Sequence, residues 1–401
     1  MKIKVAVITH YYKSVNYGGN LQAYALTRYL NQNGYNAVQI SYPFVYDSSS
    51  LSLRERLLQK FKESPLLFLG FVLKKIVFIF IDLFNKTKLD KLQEINKKRL
   101  QSFAHFQLDL IPHTSTVYDE KTLKTLNDDF DAFITGSDQV FNLEMMRPGF
   151  FLTFVNDKKI KISYAASMAL NSIPKNKEDF CKESLERFDA IGVREEKTVF
   201  LLSGLLNRRI VLNVDPVFLL EKSEWEKVCS DRMIKEDYLF CYFLGKNSFS
   251  RKKAKQFAHK YGLKIVCIPF CTTRYNLLDE QFGDVNIPYA SPEDFLSLIK
   301  NAKCIFTDSF HACAFSIIFD KMFFVFDRDK GAKMSSRIVT LTKLLKIEDQ
   351  YIKNNSSNKL IFDNDILNEC KIDNFMYKSD EFYALKKSSV QFIDANLRVD
   401  K

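Results

Sequence analysis

The segment ITHYYKSVNYGGNLQAYAL, residues 8–26, leads from an apolar strand into a helix through a Gly-Gly pair. The apolar run before this pair predicts a β-strand over 3–9, and the apolar spacing after it predicts a helix over about 20–33. Gly34 is expected to end that helix, and NAVQISYP (36–43) predicts the next strand. A strand, a helix and a second strand in this order predict a parallel sheet with a right-handed crossover.

The same alternation of strands and helices continues in two successive sets. The first set adds the strand segments DAFITGSD (131–138), KISYAAS (161–167), DAIGVRE (189–195) and RIVLNVDP (209–216). The second set consists of DYLFCYFLG (237–245), LKIVCIP (263–269), KCIFTDS (303–309) and KMFFVFD (321–327). Two such sets predict an α/β protein with two Rossmann-like domains that face each other across a cleft.

The pattern also suggests where the domains begin and end. We expect an N-terminal domain over 1–220, a C-terminal domain over 221–346 and an extension over 347–401. The amphipathic segment 380–397 is predicted to pack back on the body as a closing helix. A chain of 401 residues with 46% hydrophobic residues is long enough for two cores of ordinary size.

Cysteine usage and the N-terminus indicate a cytoplasmic protein. The eight cysteines are scattered without a C-x-x-C pair, and no histidine lies near enough to the close pair Cys267 and Cys271 to complete a zinc site. Several cysteines lie in apolar runs, which favours buried, reduced thiols and a reducing compartment. The opening residues MKIKVAVI are too short and strand-like for a signal peptide.

One region concentrates the positive charge of the chain. Residues 51–100 hold 12 Lys and Arg against 5 Asp and Glu, while the whole chain has a net charge of +11. The apolar segment 64–84 within this region is broken by Lys74 and Lys75, which disfavours a transmembrane helix. Two hypotheses remain open for a helical insert over about 51–110: a hairpin packed on the protein, or a contact with an anionic membrane surface. Charge confined to one element does not predict a nucleic-acid partner.

Polar residues follow two strands of the first set. FITGSDQVFN places Ser137, Asp138 and Gln139 at a strand end, where a carboxylate could orient a substrate hydroxyl or cap the next segment. Arg194 follows its strand directly in IGVREE. It is a candidate clamp for a carboxylate or phosphate, or else a partner of the neighbouring Glu195 or Glu196.

The second set ends a strand with Asp308-Ser309-Phe310-His311, followed by a helix rich in small residues. His311 is therefore expected near a helix N-terminus, where free N–H groups and the helix dipole favour an anion. Three cations, Lys330, Lys333 and Arg337, follow the next strand within one short stretch. They fit a grip on a phosphate or carboxylate, or a solvated charged loop.

Several catalytic motifs are missing from the sequence. It contains no Walker A loop, no cluster with metal-ligand spacing, no G-x-S-x-G elbow and no complete G-x-G-x-x-G. The sequence therefore predicts neither a metal ion nor an organic cofactor.

Six segments together resemble the polysaccharide pyruvyl transferase family over about residues 1–345. They are NYGGNLQAYAL (16–26), ITGSDQVFN (134–142), SYAAS (163–167), VREE (193–196), VDPVFLL (214–220) and TDSFHACAFSIIF (307–319). The resemblance implies two Rossmann-type domains in a GT-B-like arrangement. It also implies transfer of a pyruvyl group from phosphoenolpyruvate to sugar hydroxyls, with formation of a cyclic ketal, in surface-polysaccharide biosynthesis.

The resemblance assigns roles by motif. It places the essential histidine of the family at His311 and its cleft arginine at Arg194. Many members carry a basic residue where this chain has Ser309, so Lys333 or Arg337 is expected to supply the missing donor-binding charge. The implied mechanism has His311 protonate the methylene carbon of phosphoenolpyruvate and Asp138 receive or orient the acceptor hydroxyl.

The donor and the acceptor are assigned to opposite domains. Donor binding is expected in the C-terminal domain from Ser309, Phe310, Lys330, Lys333 and Arg337. Acceptor binding is expected in the N-terminal domain from His10, Asn16, Tyr17, Gly18, Gly19, Asn20, Ser137 and Gln139. The acceptor would be a lipid-linked or nucleotide-linked saccharide, and a lipid-linked one would suit a protein at the inner face of the cytoplasmic membrane, in contact with it through 51–100.

Two other functions stay open on the sequence. The same architecture would serve a GT-B glycosyltransferase with a nucleotide-sugar donor. A non-catalytic subunit of a membrane polysaccharide-assembly complex is the third hypothesis.

Overall fold

The computed structural model describes residues 2–43, 86–269, 279, 281–328, 336–353 and 379–397. Within these ranges the strands form two separate parallel sheets, one in each half of the chain. This arrangement confirms the predicted α/β class. We call the part built on the first sheet the first domain and the part built on the second sheet the second domain.

The first sheet contains, among the described residues, seven parallel strands in the order β3-β2-β1-β4-β5-β6-β7. They are β1 (Lys4–Ile8), β2 (Asn36–Ser41), β3 (His113–Val117), β4 (Ala132–Thr135), β5 (Ile160–Ala166), β6 (Ala190–Val193) and β7 (Val211–Leu212). The central strands β1 and β4 are buried almost throughout, which is why both form continuous apolar runs in the sequence. The strand order reverses between β1 and β4, and ligands of such sheets bind at the carboxyl ends of the strands at this point.

The second sheet has the equivalent topology, with the order β10-β9-β8-β11-β12-β13. Its parallel strands are β8 (Tyr238–Tyr242), β9 (Lys264–Cys267), β10 (Val285–Asn286), β11 (Cys304–Thr307), β12 (Phe323–Phe326) and β13 (Tyr351–Ile352). Here the order reverses between β8 and β11. Each sheet therefore offers one such crevice.

Helices connect and cover the strands. In chain order they are α1 (Tyr17–Gln32), α2 (Lys86–His105), α3 (Glu178–Glu186), α4 (Glu196–Leu206), α5 (Lys222–Glu226), α6 (Ser248–Tyr261), α7 (Pro292–Asn301), α8 (Phe310–Ile318), α9 (Ser336–Leu344) and α10 (Asp380–Leu397). Helix α7 begins with a capping box: Ser291 accepts from the N–H of Asp294, whose carboxylate accepts from the N–H of Ser291 in return.

The first helix begins earlier than its sequence pattern predicts. Asn16 is the N-cap of α1, and its side chain accepts a hydrogen bond from the N–H of Gly19 at 3.4 Å. Tyr17, Gly18, Gly19 and Asn20 therefore form the first turn of the helix instead of a turn before it. The low helix propensity of glycine places the predicted start at Asn20, and the cap together with tertiary packing overrides that propensity.

The two domains share a continuous apolar core. The ring of Tyr17 stacks on Phe295 of α7 with 4.6 Å between centroids, and its hydroxyl donates to the carbonyl of Ala290 at 2.7 Å. Trp225 contacts Tyr24 of α1 and Phe315 of α8 in the same core. The start of α1 is thus wedged between the domains and fixes how they face each other.

The C-terminal helix α10 packs on the first domain. It contacts β5 and the turn Pro216–Leu219, and Ser389 accepts a hydrogen bond from the N–H of Val214 at 3.0 Å. Most of the basic and apolar insert lies outside the described residues, and α2 is its described part. None of the helices in the described ranges is long and apolar enough to cross a membrane.

Candidate active site

Polar side chains from both domains meet at the carboxyl edge of the first sheet. Asp138 follows β4, Arg194 follows β6 and Asp215 follows β7, while His311 comes from the first turn of α8 in the second domain. Their exposed fractions are 6%, 4%, 1% and 7%. Burial of four ionisable side chains together, at the position where parallel sheets bind ligands, makes this cluster the candidate functional site.

The Gly-Gly pair in α1 makes room for this meeting. A Cβ atom at Gly18 would overlap the imidazole of His311, and one at Gly19 would overlap the backbone carbonyl of His10. Gly18 therefore allows close packing of the two domains, and Gly19 allows α1 to pack closely on the segment that follows β1 within the first domain. Their predicted role in acceptor binding stays a prediction.

His311 and Arg194 share one carboxylate. The Nε2 atom of His311 lies 3.5 Å from the Oδ2 atom of Asp215, and Arg194 donates a hydrogen bond to the same oxygen. The other oxygen of Asp215 accepts from the N–H of Val217 at 3.1 Å. Burial alone would raise the pKa of Asp215, but Arg194 and His311 outweigh burial and hold it well below its ordinary value. Asp215 is thus a permanent anion that lies against both side chains.

A second set of charges surrounds Arg194 at longer range. Asp138 lies 3.8 Å from both Arg194 and Arg337, and Glu195 lies 4.0 Å from both. Burial and the charge of Arg194 lower the pKa of Arg337 to about 10. The face of the Phe310 ring covers the Arg194 guanidinium at 4.7 Å.

A cavity of about 270 Å³ opens beside Asp138. It is lined by the predicted acceptor residues His10, Asn16 and Gln139, and by Tyr12, Lys13, Ser14 and Met145. Burial lowers the pKa of His10 to about 4, so its imidazole is neutral at physiological pH. A neutral imidazole, two amides and a carboxylate are groups that bind hydroxyls.

Three other predicted acceptor residues are used inside the protein. The hydroxyl of Tyr17 and the amide of Asn20 are fully engaged, the latter with Ser14, Asn16 and Gln107. Ser137 donates to the carbonyl of Ala165 at 2.9 Å and to Asp215 at 3.2 Å. These three side chains hold the scaffold and are not among the residues that line the cavity.

The predicted donor residues have different placements. Ser309 is the N-cap of α8 and accepts from the N–H of Ala312 at 3.5 Å, so its hydroxyl has a structural role. Phe310 and Arg337 lie in the charged cluster. Lys330 and Lys333 fall outside the described residues.

Sequence reasoning missed Asp215 and Glu195 as members of the site. Asp215 ends the strand segment RIVLNVDP, so the criterion that found Asp138 would also have found it. Glu195 was treated only as an alternative partner of Arg194. It accepts hydrogen bonds from Ser167 and, at 2.8 Å, from Thr198. Among the described residues, no group of three or more His, Cys, Asp or Glu side chains is arranged to hold a metal ion.

At the crevice of the second sheet, a carboxylate of the protein binds two backbone N–H groups. The carboxylate of Asp308 accepts from the N–H groups of Leu244 and Gly245 at 2.7 and 2.8 Å, and Arg328 lies 3.8 Å from it. Burial raises the pKa of Asp308, although Arg328 and both N–H groups oppose that shift.

Fold and site define a GT-B-like α/β protein with a buried acid–base cluster between its domains. A family model described as "Polysaccharide pyruvyl transferase" matches residues 16–330, and the chain belongs to this family. No curated protein matches the chain in sequence.

Solved structures share the fold at low identity. The S. aureus MnaA–UDP co-structure has a TM-score of 0.53 at 10% identity, covering 100% of this chain and 99% of that one. The UDP-GlcNAc 2-epimerase of Methanocaldococcus jannaschii, solved with UDP-GlcNAc and UDP, has a TM-score of 0.51 at 13% identity, covering 98% and 99%. These likenesses concern the fold alone.

Proposed function

We propose that this protein transfers a pyruvyl group from phosphoenolpyruvate to two hydroxyls of a saccharide, forming a cyclic ketal. One observation carries the proposal: the imidazole of His311, brought in by the second domain, lies 3.5 Å from the buried Asp215 carboxylate beside Arg194. In a chain of this family, such a group suits general acid catalysis next to bound anions.

His311 is the proposed acid, and Asp215 is a positioning residue. The Nε2 atom of His311 is buried without a hydrogen-bond partner among the described residues, so it is available to a substrate. Asp215, whose Oδ2 atom lies 3.5 Å from that same nitrogen, places a negative charge beside the proton-donating side of the ring. Phe310, edge-on to the imidazole at 5.1 Å between centroids, limits the access of water.

The reaction balances without a metal or redox partner. His311 gives a proton to the methylene carbon, which becomes a methyl group, and the adjoining carbon becomes electrophilic. One sugar hydroxyl adds to that carbon and the phosphate leaves with the electrons of its C–O bond. The second hydroxyl then closes the ketal. Of the two hydroxyl protons, one restores His311 and the other leaves on the phosphate.

The donor and acceptor occupy adjoining spaces in this proposal. The anionic groups of the donor bind near Arg194 and Arg337, with Lys330 and Lys333 as further proposed contacts. The acceptor binds in the cavity lined by His10, Asn16, Asp138 and Gln139. Since ligand pockets run from roughly 300 to 1,000 Å³, a volume of about 270 Å³ takes a single sugar unit. A lipid-linked or nucleotide-linked carrier would extend outward from it.

A nucleotide-sugar donor is less well supported. The amide hydrogens of Leu244 and Gly245, at the crevice of the second sheet, already bind the Asp308 carboxylate. An internal carboxylate thus holds a place that would suit a nucleotide phosphate. This favours a small donor whose anions bind at the edge of the first sheet.

The proposal is tested by offering donors in parallel. Purified protein is incubated with phosphoenolpyruvate, UDP-sugars or GDP-sugars and candidate lipid-linked or nucleotide-linked saccharides, and products are followed by mass spectrometry and phosphate release. We expect a pyruvylated saccharide and one phosphate per ketal. Glycosyl transfer from a nucleotide sugar, or no turnover with any donor and acceptor, would favour the glycosyltransferase or the non-catalytic subunit instead.

A further inference from the structure

Two buried arginines in the site have unused hydrogen-bond donors. The Nε and Nη2 atoms of Arg194 and the Nε atom of Arg337 have no hydrogen-bond partner among the described residues. Both side chains are nearly inaccessible, with exposed fractions of 2% and 6%. Buried guanidinium groups left this way are costly, so the arrangement calls for an acceptor that none of the described residues supplies.

Asp138 lies where such an acceptor would lie, but too far away to bond. Its Oδ1 atom is 3.8 Å from the Nη2 atom of Arg194 and 3.8 Å from the Nη1 atom of Arg337. Charge-assisted hydrogen bonds from nitrogen to a carboxylate measure about 2.7–2.9 Å. The gap leaves one oxygen attracted equally to two guanidinium groups and held by neither.

A further anion can bind beside the two arginines only if one of the carboxylates already there moves away. Asp138, Glu195 and Asp215 already surround the two arginines, so a further negative charge would meet repulsion. Asp215 is fixed by Arg194 and an amide N–H, and Glu195 by the hydroxyls of Ser167 and Thr198. Within the part of the chain that the structure describes, the Asp138 carboxylate accepts one long hydrogen bond, from the amide of Asn16 at 3.4 Å. It is the carboxylate that can move most easily.

We propose that Asp138 occupies, in the protein without substrate, the place between Arg194 and Arg337 that an anionic group of the donor takes. On arrival of the donor, Asp138 turns toward the adjoining cavity and accepts the proton of the attacking acceptor hydroxyl. This inference rests on the proposed pyruvyl transfer and names the residue that couples donor binding to acceptor activation. The proton passes from the hydroxyl oxygen to the carboxylate as the new C–O bond forms, and later leaves with the phosphate.

The electrostatics agree with this order of events. Burial would raise the pKa of Asp138, but Arg194 and the other nearby cations outweigh burial and hold it below its ordinary value. A carboxylate so stabilised is a weak base. Once a donor anion neutralises the arginines, the same carboxylate becomes more basic, so the base is activated only when the donor is present.

The test is Asp138→Asn, which keeps the shape and removes the charge. Residue 138 has a φ of 62°, and Asn adopts this left-handed conformation as readily as Asp. We expect phosphoenolpyruvate to bind the variant about tenfold more tightly, because a competing anion is gone. Turnover should fall about 10²- to 10⁴-fold, because the proton acceptor is gone. Asp128→Asn, the same change on an exposed residue before the amino end of β4, is the matched control. It should change neither the affinity for phosphoenolpyruvate nor the turnover.

Separate probes identify the group that is bound and separate this inference from the proposed function. Titration calorimetry with pyruvate and with inorganic phosphate shows which group, a carboxylate or a phosphate, binds more tightly to Asp138→Asn than to the wild type. When Arg337→Gln is also present, and its fold is verified by circular dichroism, Asp138→Asn should no longer tighten anion binding. Equal or weaker binding of every anion by Asp138→Asn would overturn the inference, even if the wild type makes the ketal. Tighter anion binding in a protein that makes no ketal would preserve the anion site and overturn both the proton transfer and the pyruvyl transfer.

Discussion

Gly18 and His311 come from different domains and lie in direct contact, which gives a single glycine a functional consequence. The imidazole occupies the volume that any side chain at position 18 would need. The same contact positions His311 against Asp215 and Arg194. At the residue scale, therefore, the Gly-Gly pair matters because it leaves room for the groups that pack against it, and in this account it does not bind substrate.

Gly18→Ala tests that packing. The added methyl group must displace His311, so we expect loss of about 1–3 kcal/mol in the free energy of unfolding and a large loss of turnover. Thermal melts and the product assay measure the two effects. Gly204→Ala is the control: nothing lies within 4 Å of its Cβ in α4, and the helix should gain up to about 1 kcal/mol. Unchanged turnover in Gly18→Ala would contradict the contact.

His10 predicts a pH dependence of stability. Its pKa in the folded protein is about 4, against an ordinary value of 6.5, so below pH 6.5 the unfolded chain takes a proton that the folded chain refuses. Stability is therefore lost as pH falls from about 6.5 toward 4, by about 2 kcal/mol at pH 5.

Urea unfolding at pH 7 and pH 5 measures this dependence. His10→Asn should remove most of the loss, and His259→Asn, at an exposed position, should keep it. Identical pH profiles for wild type and His10→Asn would show that His10 is not buried in its neutral form.

At the scale of elements, the sequence predicted those that bury a regular apolar pattern. The central strands β1 and β4 lie where the apolar pattern places them. The short outer strands β3, β10 and β13 were not predicted. The pattern of β3, HTSTV, is polar and largely exposed, and β10 and β13 have two residues each, so neighbouring strands rather than local sequence create them.

The closing helix α10 supports the segment that carries Asp215. Phe382 is 1% exposed and packs edge-on against Phe218 at 5.0 Å. Phe382→Ala should cost about 3–5 kcal/mol in the free energy of unfolding and lower turnover, because Phe218 follows Asp215 closely. Tyr383→Ala, at a neighbouring residue that is 53% exposed, should change stability by less than about 0.5 kcal/mol. Denaturant titration measures both, and equal effects would contradict the packing of α10.

At the scale of the whole molecule, the site exists only because two domains share a core. Asp138, Arg194 and Asp215 come from the first domain, and His311 and Arg337 from elements of the second domain. The sequence predicted His311, Arg194 and Asp138 as members of the site because each follows a strand. It could not predict that the side chains of Tyr17 and Asn20 would form hydrogen bonds inside the protein, or that Asp215 would contact both His311 and Arg194. Those facts depend on distances between segments far apart in the chain.

The central claim is that His311 delivers a proton to the methylene carbon of phosphoenolpyruvate. The most direct measurement is the reaction in deuterium oxide, with the ketal methyl group followed by NMR, for wild type and His311→Gln. We expect one deuterium in each methyl group made by the wild type, and no ketal from the variant. A ketal formed by His311→Gln at the wild-type rate, or a methyl group without deuterium, would contradict the account.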